Sequence, residues 1–502
     1  MRQSFLSRIL NQSPKKRILR IRFIIILVAI VFVVAQFWLQ NCPSKRLHPS
    51  SSRVSKLTSQ EKQIIVKNLK LGVDWKEVNV PDSFHNATNK PKFFVYSAYF
   101  DTNEDFMRVI AITPSFSRQR FYCHLFDEEI QLFTTVPGII STTKYGLGST
   151  MKYSMAFILC HLDMNPNELE TQSIIKKAKF TVISPFRKMP DSDLFTSNGT
   201  IASNLMSIPN PVYKGDEEPY KFVACVQPTF NFDRVEAFLE WVEFQKMMGV
   251  THFAFYNMSI GPRVSCVMKS AAINAETPVT VLKWTPPIND ETQLHTNGQI
   301  AQLNDCSFRY RGVSKYLVQL DLDEFIIPNP TFAKDYYQLV NVLNNAWRSM
   351  SRPGVIAVYQ FPSAFFDPGF GYFQTSPAVA TDKTRRFGIN DLQLYRYVKR
   401  HDPINSSGYR SKLISIPWNV VEPGLHVLDE PVFNGYEYVV PQELGYIHHY
   451  RRFFDCGNNC SFIRQRIDTE AHFYVQELSR RMHNLAKKLE KECDLGSLKS
   501  NM

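Results

Sequence analysis

The residues best suited to chemistry are two aspartates that close an apolar run, Lys315-Tyr316-Leu317-Val318-Gln319-Leu320-Asp321-Leu322-Asp323-Glu324-Phe325-Ile326-Ile327-Pro328. Carboxylates are costly at the end of a buried strand and persist there when something positive needs them. In a strand, residues i and i+2 project to one face, so Asp321 and Asp323 are expected to share one hard cation. Oxygen ligands suit Mg²⁺ or Mn²⁺, which take few protein carboxylates and complete their shell with substrate phosphates. The chemistry so implied is charge neutralisation on a diphosphate. A solvated acidic turn is the plainer explanation of an isolated Asp-x-Asp, so the surrounding elements must support anything more.

From residue 220 the pattern is regular. Residues 222–226 read as a buried strand. A helix is predicted over 234–248, with Val235, Phe238, Leu239, Val242 and Met247 spaced for one face and Gly249 fitting its C-terminal cap. Strands follow at 252–256 and 279–284, a helix at 299–311, and the strand 316–320 that leads into Asp321. Strand–helix alternation predicts an α/β, doubly wound parallel sheet, whose ligands lie beyond the carboxyl ends of the strands. Gln227, Pro228 and Thr229 end the first strand and Tyr256 and Asn257 the second, so Gln227, Thr229 and Tyr256 are expected to contact a nucleotide. No Gly-x-Gly-x-x-Gly or Walker loop is present, which disfavours dinucleotides and ATP. Upstream, short apolar runs between 92 and 184 predict a β-rich module, and proline-rich residues 185–219 a linker.

The N-terminus sets the compartment. Residues 23–35 are wholly apolar, and seven basic residues with no acid precede them. With no small-x-small cleavage site after it, the run is expected to be an uncleaved signal anchor with its basic end in the cytosol. The resulting plan is a cytosolic tail (1–22), a transmembrane segment (23–39), a stem (40–90), a luminal β-rich module with linker (91–219) and a catalytic domain (220–502). Eleven basic residues and no acid fall within 1–60, so the formal charge of +12 falls to +1 beyond them. The basic balance therefore belongs to the anchor and stem, and no nucleic-acid-binding face is expected. Nine cysteines suit an oxidising lumen. Eight of them, all but Cys42, allow up to four disulfides of open connectivity. Sequons at Asn86, Asn198, Asn257, Asn405 and Asn459 are compatible with the same compartment.

The succession Ser97-Ala98-Tyr99-Phe100-Asp101, Asn304-Asp305-Cys306, Asp321-Leu322-Asp323-Glu324-Phe325 and His449-Tyr450-Arg451 resembles glycosyltransferase family 92 over about residues 92–470. The likeness is nearest to members that add galactose to the core fucose of N-glycans. It implies a GT-A fold, Mn²⁺, UDP-galactose as donor, inversion at the anomeric carbon, an N-glycan acceptor and a single-pass Golgi membrane location. Asp323 is then expected as direct metal ligand, and Asp321 as a contact through water or the ribose. The resemblance also implies a third ligand from the C-terminal part: His449, at the end of a short apolar run, with His426 as competitor. Lys412, Arg451, Arg385 and Arg386 are candidates to steady the diphosphate. Inversion requires a carboxylate base, and Asp382, Asp391 and Glu422 are the candidates. Aromatics at 359–361 and 365–373 either stack on acceptor sugars or fill the core. The near-neutral body favours a neutral acceptor, core fucose first and another neutral glycan such as a β-galactoside second. Two other classes compete. A Golgi sulfotransferase would need a basic loop after the first strand, which residues 227–233 lack; an inactive luminal lectin-like protein would not need the intact Asp pair. The oligomeric state is open, a dimer included.

Overall fold

The chain divides into two compact units, Met1–Ser55 and Lys56–Met502. A computed structural model describes residues 74–81, 91–101, 104, 106–143, 150–162, 168–189, 204–209, 217–371, 388–452 and 464–493. The first unit, and with it the expected membrane segment 23–39, lies outside the described residues. Among those described, no helix is long and apolar enough to cross a membrane.

The short apolar runs before residue 210 pair into one eight-stranded sheet. Its strands are β1 (Lys76–Val78), β2 (Phe93–Asp101), β3 (Phe106–Pro114), β4 (Arg120–Phe126), β5 (Leu132–Thr142), β6 (Tyr153–His161), β7 (Phe180–Ser184) and β8 (Met206–Ser207). They lie in the order β1-β2-β3-β6-β5-β4-β7-β8, all antiparallel. Helix α1 (Glu168–Lys177) precedes β7, and a Cys123–Cys160 disulfide links β4 to β6.

The second sheet has seven strands. β9 (Tyr220–Thr229), β10 (His252–Asn257), β11 (Val279–Lys283) and β12 (Ser314–Leu320) are parallel in the order β11-β10-β9-β12. Val223 to Val226 of β9 are buried on both faces, which is why that strand reads as an unbroken apolar run. α2 (Val235–Met247) returns the chain from β9 to β10 and buries Val235, Phe238, Leu239 and Val242 on one stripe. Gly249, at φ +96°, lets the chain turn out of that helix. α3 (Pro262–Lys269) and α4 (Ala271–Asn274) connect β10 to β11, and α5 (Gln299–Arg309) packs on the opposite face of the sheet and leads to β12. A Cys225–Cys306 disulfide fastens α5 to β9.

Beyond β12 the pairing becomes non-local. β13 (Glu324–Pro328), α6 (Tyr336–Ser349), β14 (Val355–Phe361), β15 (Ser363–Phe365), α7 (Gln393–Arg396), β16 (Lys399–His401), β17 (Lys412–Ser415), β18 (Val420–Pro423), β19 (Leu428–Pro431), β20 (Gly435–Val439), β21 (Gly445–His449), β22 (Gln465–Ile467) and α8 (His472–Leu489) follow. The big sheet continues as β12-β17-β14-β20, with β17 antiparallel to both neighbours. β13, β21 and β15 form a separate three-stranded sheet. The main core lies between the large sheet and α2, α6 and α8. A Cys266–Cys493 disulfide ties α3 to the residues just after α8. The fold is therefore mixed α/β; Cys456 and Cys460 lie outside the described residues.

Candidate active site

The parallel strands β9 and β12 are neighbours at the point where the strand order turns, β9 leading out to β10 on one side and the sheet continuing past β12 to β17 on the other, the kind of switch point at which open α/β sheets leave a crevice. A cleft of about 740 Å³ opens there. Gln227 and Thr229 from β9, Asp321 and Asp323 after β12, Lys412 from β17, His449 and Arg451 at the end of β21, and His426 all line it.

The aspartates reach the cleft by a different route from strand parity. Residues 321–323 form a tight turn between β12 and β13, closed by the Glu324 N–H donating to the Asp321 carbonyl at 3.2 Å. β12 ends at Leu320 because the chain must reverse into a second sheet. The turn leaves both carboxylates partly open, the Asp321 side chain 34 % and the Asp323 side chain 27 % exposed.

Glu324, next along the chain, is the residue that attention to i and i+2 spacing missed. It is buried and accepts the Asp321 N–H at 3.0 Å. The Lys412 ammonium lies 3.0 Å from Asp321 Oδ2 and 3.2 Å from Glu324 Oε2. The Gln227 amide closes the group when its oxygen and nitrogen are assigned by their partners, which sets the nitrogen 2.6 Å from Asp321 Oδ1 and the oxygen 2.8 Å from Lys412 Nζ. Burial pushes Asp321 up to about 6 against the pull of Lys412. Burial likewise opposes the charge on Lys412, but Asp321 and Glu324 hold its pKa up at about 12. Asp323 goes the other way. Burial would raise it, yet His449, Arg451 and Lys412 together hold it below the usual carboxylate range.

β21 pairs antiparallel with β13 in the register Glu324↔His449. That register, set by residues 125 apart in sequence, brings the imidazole to the turn. His449 Nε2 lies 3.6 Å from Asp323 Oδ2 and Nδ1 lies 3.5 Å from Glu324 Oε1. Neither ring nitrogen has a hydrogen-bond partner among the described residues, although both are buried. Two orphaned nitrogens facing two carboxylates form a donor set that fits a first-row divalent cation. His448 points to the opposite face of β21, stacked on Phe366 at 4.1 Å, as strand alternation requires. His426 is held by a 2.8 Å hydrogen bond between Nδ1 and the Ser411 carbonyl. Burial first, then Lys412, lowers its pKa to about 4, so it faces the cleft as a neutral imidazole.

Other expected site residues lie elsewhere. The Tyr256 hydroxyl is buried behind the sheet and donates to Asp305 Oδ2 at 2.6 Å, because its position in β10 turns it toward α5. Asp391 is exposed in a short 3-10 turn, where its carboxylate accepts the Gly388 N–H at 2.9 Å. Glu422 is buried in the β18–β19 hairpin, opposite Glu430, and is not among the lining residues of the cleft. Asp382, Arg385 and Arg386 lie outside the described residues. Phe365, Phe366 and Phe370 are buried in the core, so none of the three is free to stack on a sugar. The exposed aromatic at the cleft is Phe230, 66 % exposed, just past the end of β9.

Two of the remaining motifs meet in a buried junction. Asp305 accepts hydrogen bonds from the hydroxyls of Ser97 and Tyr99 on β2, from Tyr256 on β10, and from Arg309 through Nε and Nη2 at 3.0 Å each. Asp101 pairs with Arg108 and Arg311, at 2.6 and 3.0 Å. These residues tie the eight-stranded sheet to α5. The other end of α5 meets the cleft through Thr296, Asn297 and Gln299, after three successive residues with positive φ, Thr296 to Gly298.

A Caenorhabditis elegans β-1,4-galactosyltransferase, galt-1, is 23 % identical over 324 residues, spanning 61 % of this chain and 68 % of that protein. Glycosyltransferase family 92 protein F59C6.8 of the same organism is 26 % identical over 128 residues, 24 % of each chain. Among solved structures, UDP-glucose pyrophosphorylase bound to UDP-glucose aligns with 53 % of this chain and 98 % of its own, at 7 % identity and a TM-score of 0.21, too low to bear on the fold. The sequence profile of glycosyltransferase family 92 matches residues 220–486, more than half of the chain and all of the described cleft, and the chain belongs to that family.

Proposed function

We propose that the chain is a metal-dependent galactosyltransferase of GT-A type that moves galactose from UDP-galactose, with inversion, onto a neutral N-glycan, core fucose first. The observation that carries this reading is the convergence of Asp321, Asp323 and His449 on one cleft at the carboxyl ends of β9 and β12. The parallel order β11-β10-β9-β12 supports the GT-A assignment, and the relative named as a β-1,4-galactosyltransferase supports the donor. A Golgi location, with the body in the lumen, rests on the apolar N-terminal run and on three disulfides.

Asp323 and His449 would hold Mn²⁺, with Asp321 as a further oxygen donor. The ion would act as a Lewis acid toward the leaving diphosphate. Lys412 orients Asp321 and Glu324 and favours the ionised form of Asp321. Gln227 and Thr229 are placed to meet the nucleotide, and Arg451 and Arg410, both exposed at the cleft, to meet phosphate oxygens. In the inverting step the acceptor oxygen forms a bond to the anomeric carbon and the bond from that carbon to the diphosphate breaks. The hydroxyl proton passes to a carboxylate. Asp382 is the first choice for that role, ahead of Asp391, which is engaged in its own turn, and Glu422, which does not line the cleft.

The test is the purified protein with Mn²⁺ and a panel of UDP-sugars, followed by UDP release and glycan mass. Matched N-glycans with and without core fucose identify the acceptor. Equal hexose gain on both glycans overturns the acceptor. Preference for glucose or N-acetylglucosamine overturns the donor.

A further inference from the structure

The opposite face of β21 from His449 carries a second convergence of donors. His448, Asp468 and Glu470 each offer one ligand atom, all within 4.8 Å of one another. His448 is fully buried, and its Nδ1 lies 3.3 Å from the Tyr450 hydroxyl. Its Nε2 has no hydrogen-bond partner among the described residues. Glu470 Oε2 is likewise a buried atom without a partner. Asp468 is already engaged. Its Oδ2 receives Arg400 Nε at 2.9 Å and the Tyr446 hydroxyl, and its Oδ1 accepts the Glu470 N–H at 3.1 Å. A carboxylate oxygen accepts two bonds, so Oδ1 keeps one lone pair.

An unpaired buried imidazole nitrogen and an unpaired buried carboxylate oxygen on one small site each carry the penalty of an unmade hydrogen bond. One cation satisfies both. A point central to atoms no more than 4.8 Å apart lies roughly 2.8 Å or less from each, against about 2.0–2.2 Å for zinc bonds to imidazole nitrogen and carboxylate oxygen. Sub-ångström closure of side chains completes the geometry. Asp468 and Glu470 are half-buried, which leaves an approach from solvent.

We propose that His448, Asp468 and Glu470 form a structural site for a first-row divalent cation, Zn²⁺ by its donor set, that fastens the start of α8 to β21. The two faces of one strand then carry two ions with different tasks. His449 serves the cleft, and His448 anchors the strand that presents His449. The site stands independently of the donor and acceptor assigned above.

The experiment uses the full chain, stripped with chelator, equilibrated with Zn²⁺ and desalted, with bound zinc counted by mass spectrometry and Tm followed in parallel. An Asp323→Asn/His449→Gln chain, which has lost two cleft donors, should still bind about one Zn²⁺ per chain and still gain Tm with zinc. Adding Glu470→Gln should remove that ion and the Tm gain together. No bound zinc in the cleft-disabled chain overturns the site, as does unchanged zinc after Glu470→Gln. If Glu470→Gln does not fold, zinc-edge absorption on the cleft-disabled chain decides. An imidazole in an otherwise oxygen shell supports the site, and a shell without imidazole refutes it.

Discussion

Replacing Lys412 with Met tests the electrostatic logic of the cleft most directly. The ammonium is 3 % exposed and lies between Asp321 and a Glu324 side chain that is 2 % exposed. At about 3 Å and an effective dielectric near 20, each pair is worth roughly 5 kcal/mol of gross attraction, most of it offset by desolvation. Removing one member of a buried group leaves the other uncompensated, and such losses run about 3–5 kcal/mol. The partly open Asp321 relaxes into solvent, so Glu324 dominates the cost and about 3 kcal/mol is expected at pH 7.5. The sign with pH follows. Without Lys412 the folded-state pKa of Asp321, already pushed up to about 6 by burial, rises further above its unfolded value. Between the two, the folded chain binds more protons than the unfolded one, and stability recovers as pH falls. Urea unfolding in chelator, followed by tryptophan fluorescence at pH 7.5 and 5.5, should show a deficit that shrinks on acidification. A Lys412→Met chain as stable as wild type at pH 7.5, or a deficit that grows at pH 5.5, would refute the reasoning.

Asp323→Ala should lower turnover by about 10³-fold or more while leaving secretion of the body, expressed without residues 1–39, intact, because the residue sits in an open turn; UDP release against secreted yield measures both. Asp305→Asn should cost about 3–5 kcal/mol, since it strips the countercharge from Arg309 and sets an amide N–H₂ against hydroxyl donors; a shift in the urea midpoint reads it. His124, buried between Thr135 and Phe186, has its pKa lowered by burial to about 4 from 6.5. The unfolded chain takes up that proton first, so stability should fall by roughly 2 kcal/mol between pH 7 and 5 on this account alone. In His124→Gln that part of the slope should be missing.

The strands from 220 to 320 and the helices α2 and α5 were legible, because β9, β10 and β12 are buried on both faces and α2 carries a 3.6-residue stripe; the short helices α3 and α4, between β10 and the half-exposed β11, were not expected. Boundaries fell within a few residues: β12 was expected at 316–320 and runs Ser314–Leu320. What followed was not legible. β13, β21, β17 and β14 are short and pair across many residues, so their partners leave no local periodicity. His449 was singled out from its place at the end of an apolar run, but its contact with Glu324 arises from the β13–β21 register. Tyr256 was placed at the nucleotide from its strand-end position, and side-chain direction turned it to Asp305 instead. Ser97, Tyr99 and Asp305 carried much of the family resemblance, yet they hold two sheets together. An Asp–Arg pair four residues apart on a helix looks in sequence like an exposed salt bridge, and nothing local reveals the tyrosines that cover it.

The Cys266–Cys493 bond sets a schedule for making the protein. Cys225 can meet Cys306 after 81 further residues, whereas Cys266 waits for a partner 227 residues downstream. At synthesis rates of about 5–20 residues per second, that wait is roughly 10–45 s. In the oxidising lumen proposed above, Cys266 would remain a thiol throughout the wait, with Cys306 arriving first and only 40 positions away. Correct pairing therefore depends on Cys306 being captured by β9 before it meets α3, and a chain released before residue 493 leaves the Cys266 thiol without its partner beside an otherwise complete parallel sheet.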